Sequence, residues 1–237
     1  MSRRLRIAML DSGVFADHPH VQRPLAGGIT ITPSGEHDGF QDRLGHGTAV
    51  CALLQQMAPD ADILAVKIFD TRLATSLPIV LRAIDWCLAQ QVDVINLSLG
   101  TANQDHLPRF TEAIERTQRA GAVVVSAYQV GNTLMLPGSL SPVIGVVEDP
   151  ACARESIRFL SNPTPHIAAC PYPLDIPGVP RERNIHGVSF AVAHVTARIA
   201  NLWHASGASS HWLTQLAGDT AALTVSQSIE TAADRSL

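Results

Sequence analysis

The sequence predicts an α/β fold: a doubly wound parallel sheet with helices on both faces. Three observations predict it. Short, near-continuous Val/Ile/Leu runs read as strands buried on both sides. They alternate with longer stretches whose apolar residues recur at helical spacing. The residues able to do chemistry fall where strands end and helices begin, which is where open parallel sheets place their sites.

Residues 5–10 (LRIAML) read as the first buried strand. Residues 47–57 form an apolar helical run, and residues 62–69 (DILAVKIF) a second strand. Residues 77–91 read as a helix, with Ile79, Ala83, Trp86 and Cys87 at helical spacing. A third strand follows at residues 92–97 (VDVINL). Residues 107–120 form an amphipathic helix stopped by Gly121. Residues 122–127 (AVVVSA) and 143–147 are strands, and residues 189–204 the last helix. The proline-rich stretch from 149 to 180 reads as loop with short strands. No repeat, low-complexity segment or long linker interrupts the chain, so one domain is expected across residues 1–237.

Composition narrows the function classes. The chain has 237 residues, 46% hydrophobic and 16% charged, enough apolar material for a substantial core. Lys plus Arg number 17 and Asp plus Glu 21, a net charge of −4. That balance points away from nucleic acid and from acidic membrane surfaces. Arg3, Arg4 and Arg6 read as a solvated tail. The apolar run after them is too short for a signal peptide, and no stretch reaches the roughly 20 apolar residues needed to span a bilayer. A cytoplasmic location and no membrane partner are therefore expected. Cys51, Cys87, Cys152 and Cys170 lack CxxC spacing, which predicts free thiols and no zinc site. His18, His20 and His37, with Asp17, Asp38 and Asp42, read as a solvated polar loop in preference to a metal site. No cofactor is expected. The absence of GxGxxG and GxxxxGK[ST] argues against a nucleotide-binding domain.

Four segments carry the chemistry. Residues 7–14 (IAMLDSGV) run a strand into Asp-Ser-Gly. Residues 45–52 (GHGTAVCA) open a helix on a glycine-flanked histidine. Residues 95–100 read INLSLG, and residues 187–195 (GVSFAVAHV) place a serine at a helix start. In this order, and with residues 58–69 (APDADILAVKIF) between them, the segments resemble the subtilisin family over nearly the whole of residues 5–205.

The resemblance implies a subtilisin-like serine endopeptidase with Asp11, His46 and Ser189 as its triad. The residue types suit that task. A serine hydroxyl needs a base at neutral pH; His46 supplies one, and Asp11 fixes the imidazole tautomer and stabilises its charged form. The order Asp, His, Ser differs from that of chymotrypsin-like enzymes and α/β-hydrolases. The Ser189 N–H at a helix start provides one oxyanion donor. Asn96 is expected to support the site and His194 to be a buried structural residue.

The resemblance has departures. The family's Ala-Ala-Gly-Asn stretch is replaced by residues 126–132, SAYQVGN. Ungapped counting favours Gln129 as the second oxyanion donor; Asn132 is the alternative if two residues are inserted. Val188 and Ala193 stand where the family usually has Thr and Pro. The calcium-binding loop that many relatives insert after the histidine helix is not expected, nor is a folding propeptide, since ten residues precede Asp11. Ser98, Leu99, Gly100 and Tyr128 match the walls of the pocket for the residue before the scissile bond, and the Tyr128 ring is expected to restrict it to small or polar side chains. The implied partner is a peptide or protein substrate, processed specifically, such as the leader of a modified natural product. The competing reading is a pseudoprotease that binds with little turnover. No sequence feature specifies an oligomeric state.

Overall fold

The computed structural model describes residues 3–161 and 164–205, so the expected domain span of 1–237 extends beyond them. Strand β1 (Arg6–Asp11) lies at the heart of the sheet, paired in parallel with β4 (Asp62–Lys67) on one side and β5 (Val94–Leu97) on the other. Beyond β5 follow β6 (Val123–Ala127) and β9 (Ile144–Glu148), also parallel. The remaining strands extend the sheet at its two ends, with β3 and β10 at the edges. β2 (Gly27–Thr32) pairs in parallel with β4 and antiparallel with β3 (Gly35–Asp38). At the far side β11 (His166–Ala169) pairs in parallel with β9 and antiparallel with β10 (Ile157–Leu160). The order is β10-β11-β9-β6-β5-β1-β4-β2-β3.

Alternation along β1 shows why the sheet is covered twice. Ile7 and Met9 pack with Leu53 and Phe190, from helices α1 (His46–Met57) and α4 (Val188–Ala205). Ala8 and Leu10 face the other way, onto Ile84 and Phe110 of α2 (Leu77–Ala89) and α3 (Leu107–Arg119). Successive side chains of a strand point to opposite faces, so a strand with helices on both sides must be apolar throughout. The expected doubly wound α/β architecture is present.

Differences from the sequence reading lie at the margins. β1 runs to Asp11, whose backbone pairs with Lys67, and the third expected strand begins at Val94, not residue 92. The β2–β3 hairpin was not foreseen, because its strands are short and only partly buried, and glycine and polar residues break their apolar pattern. The N-terminal arginines are a correction. Arg3 forms a bidentate pair with Asp93 at 2.7 and 2.6 Å, and Arg4 Nε donates to the Asp60 carbonyl at 2.9 Å. They clasp the chain to the sheet instead of forming a free tail. All four cysteines are buried and unpaired. Among the described residues no helix is long and apolar enough to cross a membrane.

Candidate active site

Asp11 is fully buried where β1 ends between its two parallel neighbours. The chain then turns sharply, and the Ser12 N–H donates to Asp11 Oδ1 at 2.7 Å. The same oxygen lies 2.7 Å from Nδ1 of His46, the first residue of α1. A carboxylate only accepts, so Nδ1 carries the proton and Nε2 faces outward as a base. The approach is close because Gly47 follows His46: a Cβ there would sit 2.2 Å from the Gly13 carbonyl oxygen and 3.1 Å from Asp11 Oδ1. The Gly47 N–H is held by Ser12 Oγ at 2.9 Å.

The His46 pKa is raised. Burial alone would lower it, but the hydrogen bond and charge of Asp11, with the field of Asp42, outweigh that. Asp42 is held ionised: burial opposes it, and hydrogen bonds from Thr48, Leu44 and Ser12 overcome the penalty.

Ser189 is the second residue of α4, with its hydroxyl in the cleft that also exposes His46. That cleft encloses about 1090 Å³. The hydroxyl donates to the Ser98 carbonyl at 3.4 Å, a long contact. The next residue, Phe190, is buried and its ring lies 5.6 Å from the His46 ring, fixing where the imidazole sits. The Ser98 strand end is pinned from beneath. Asn96 Nδ2 donates to Ser98 Oγ at 2.9 Å while Asn96 Oδ1 accepts from Thr196 of α4 at 2.9 Å. Ser126 Oγ donates to the Leu99 carbonyl at 2.9 Å.

Asp11 and His46, from distant parts of the chain, are thus joined where β1 ends and α1 begins, and Ser189 at the start of α4 lines the same cleft as His46. Residues 2–235 match the Subtilase family, Peptidase_S8. The chain belongs to the subtilase family. It is 27% identical over 222 residues to the major intracellular serine protease of Bacillus subtilis, covering 84% of this chain and 68% of that one. It is 29% identical over 156 residues to the minor extracellular protease Epr of Bacillus subtilis, covering 61% of this chain. There the chain spans only 23% of its relative's length. Among solved structures, a lanthipeptide protease matches with a TM-score of 0.64 at 18% identity, covering 84% of this chain and 72% of that one.

The remaining expected site residues of this subtilase divide. Gln129 faces the cleft, but it belongs to a two-stranded hairpin, β7 (Gln129–Val130) and β8 (Thr133–Leu134). Its Nε2 donates to the Gly131 carbonyl at 2.5 Å. Gly131 and Asn132 form the turn, so the two extra residues build a hairpin, and Asn132 stands exposed at its tip. Tyr128 does not line this cleft. It is buried, stacked on His166 at 4.2 Å with its hydroxyl 2.8 Å from Thr164 Oγ1. Backbone alternation turns it beneath the sheet surface while Gln129 points out.

Met135, which the sequence reading missed, is tied to one expected wall by its backbone and lies against the other with its side chain. Its N–H donates to the Tyr128 carbonyl at 2.9 Å, joining it to one wall. On the other wall a Cβ at Gly100 would lie 2.8 Å from Met135 Cβ and 3.4 Å from its Cε. The neighbouring bridge between Thr101 and Leu136, with N–H···O distances of 3.0 and 2.8 Å, holds this arrangement. No motif marks Met135, because its placement depends on the hairpin before it.

His194 is buried, with Nε2 3.1 Å from the Tyr172 carbonyl, and burial lowers its pKa. Among the described residues no group of three His, Cys, Asp or Glu side chains converges as a metal would require.

Proposed function

We propose that the chain is a serine endopeptidase in which Asp11, His46 and Ser189 act together on a specific peptide or protein substrate inside the cell. The observation that carries this reading is the 2.7 Å Asp11–His46 hydrogen bond beside Ser189 in one cleft. His46 Nε2 takes the Ser189 proton as Oγ attacks the substrate carbonyl. It then passes that proton to the departing amine, and water cleaves the acyl-enzyme by the same route. The Ser189 N–H at the start of α4 and the Gln129 side-chain amide are the two donors for the oxyanion. Gln129 is favoured over Asn132 because it already faces the cleft; it has to exchange its bond to Gly131 for one to substrate.

Specificity at the residue before the scissile bond follows from Met135. Its side chain lies against Gly100, so small side chains are preferred there, for a different reason than the Tyr128 ring first suggested. Intracellular processing is supported by the likeness to an intracellular serine protease, and peptide maturation by the likeness in fold to a lanthipeptide protease.

A second reading, a binding module with little turnover, has its own support: both the Ser189 hydroxyl and the Gln129 amide bond to backbone carbonyls. A fluorophosphonate probe separates the two. Labelling of the wild type that disappears in Ser189→Ala, with an unchanged circular dichroism spectrum, supports the peptidase. An unlabelled wild type, or labelling that survives Ser189→Ala, refutes it.

A further inference from the structure

Beside the cleft lies a second pocket of about 540 Å³, whose apolar wall is Phe15, Ala49, Pro173, Leu174, Ile176 and Ile185 and whose rim also carries His18, His20, Asp42 and Arg43. Three of these large apolar side chains are exposed, Phe15 at 41%, Ile176 at 41% and Ile185 at 50%. Apolar groups gathered around a concavity are costly in water and mark a binding surface. The pocket is rigidly built. The Phe15 N–H donates to Thr48 Oγ1 at 2.9 Å. Thr48, two residues beyond His46, donates in turn to Asp42 through its N–H and its hydroxyl at 2.9 and 2.6 Å. The opposite wall is closed by Asn184 Nδ2 donating to the Leu174 carbonyl at 3.1 Å. Asn184 and Ile185 border both this pocket and the cleft holding His46 and Ser189, so the two adjoin.

Its position names the occupant. On the peptidase reading, with the residue before the scissile bond beside Gly100, the acyl half of a substrate lies along Ser98–Gly100. Neither that segment nor Met135 borders the second pocket, whereas Gly45, immediately before His46, does. A chain crossing Ser189 from Ser98–Gly100 therefore reaches this pocket only after the scissile bond, on the side where His46 protonates the leaving amine. We infer that the pocket binds an apolar side chain, of the Leu, Ile or Phe class, among the first few residues after the scissile bond. This rests on the peptidase reading and adds a leaving-group requirement to it.

The test is cleavage of an equimolar synthetic library of 14-residue peptides, with cut sites read by mass spectrometry. The wild type should enrich apolar residues at one position after the bond. Phe15→Ala and Ile176→Ser should each weaken that enrichment roughly tenfold, with the preference before the bond and fluorophosphonate labelling of Ser189 unchanged. Cleavage with no apolar enrichment, or enrichment indifferent to both substitutions, overturns the inference and leaves the peptidase reading standing. So does loss of a dimer in sedimentation on either substitution without loss of enrichment, since the pocket is then covered by a second copy. A wild type that cuts nothing and takes no label overturns both.

Discussion

His46 Nδ1 lies 2.7 Å from a fully buried Asp11 oxygen, and the pair sets how the site answers to pH. The His46 pKa is raised above 6.5, so the neutral imidazole needed as a base disappears as pH falls through that raised value. The acid limb of kcat/KM should have its midpoint above pH 6.5. Asp11→Asn should cut kcat by roughly 10⁴ through the wrong tautomer and move the limb to lower pH. A flat profile from pH 5 to 8 contradicts a histidine base. Stability has the opposite sense: a raised folded pKa means the charged pair's contribution is full below pH 6.5 and lost as pH rises through the folded value.

The hairpin β7–β8 makes the oxyanion assignment testable. Gln129→Ala should lower kcat by roughly 10²–10³, about 3–4 kcal/mol, with little change in KM. Asn132→Ala, at the exposed tip, should be mild. If Asn132→Ala is the damaging change and Gln129→Ala is silent, the hairpin rearranges around substrate and the donor is Asn132.

Met135→Gly should open the space beside Gly100. The expected result is a gain of roughly 10- to 100-fold in kcat/KM for substrates with Phe or Leu before the scissile bond. Tyr128→Ala should instead cost about 3 kcal/mol of stability, since it removes a buried stacked ring, without broadening specificity. Broadened specificity from Tyr128→Ala alone contradicts the placement of Met135.

Chelator should leave activity and Tm unchanged. α1 ends at Met57 and β4 begins at Asp62, leaving a short connection between them. A large fall in Tm with EDTA, restored by calcium, would reveal a site elsewhere.

The sequence by itself determined the central strands of the sheet and marked Asp11, His46 and Ser189 as the candidate triad. Apolar runs such as IAML and VINL reveal buried strands, because a strand covered on both faces has no polar option. Asp11, His46 and Ser189 sit at strand ends and helix starts, which short local patterns mark well. Only the tertiary structure decided what lies around them. The direction of Tyr128, the hairpin built by Gly131 and Asn132, the placement of Met135 and the clasp of Arg3 on Asp93 all depend on contacts between distant segments. The pocket behind Ile185 is the clearest case. Phe15, Ala49 and Ile176 share no periodicity and belong to three separate stretches of chain. The Phe15–Thr48 and Thr48–Asp42 hydrogen bonds tie the loops after β1 and β3 to α1, and the Asn184–Leu174 bond braces the third stretch. Local propensity records which residues build a strand or start a helix. It carries no information about which exposed side chains will share a cavity, since that is set by packing between elements far apart in sequence.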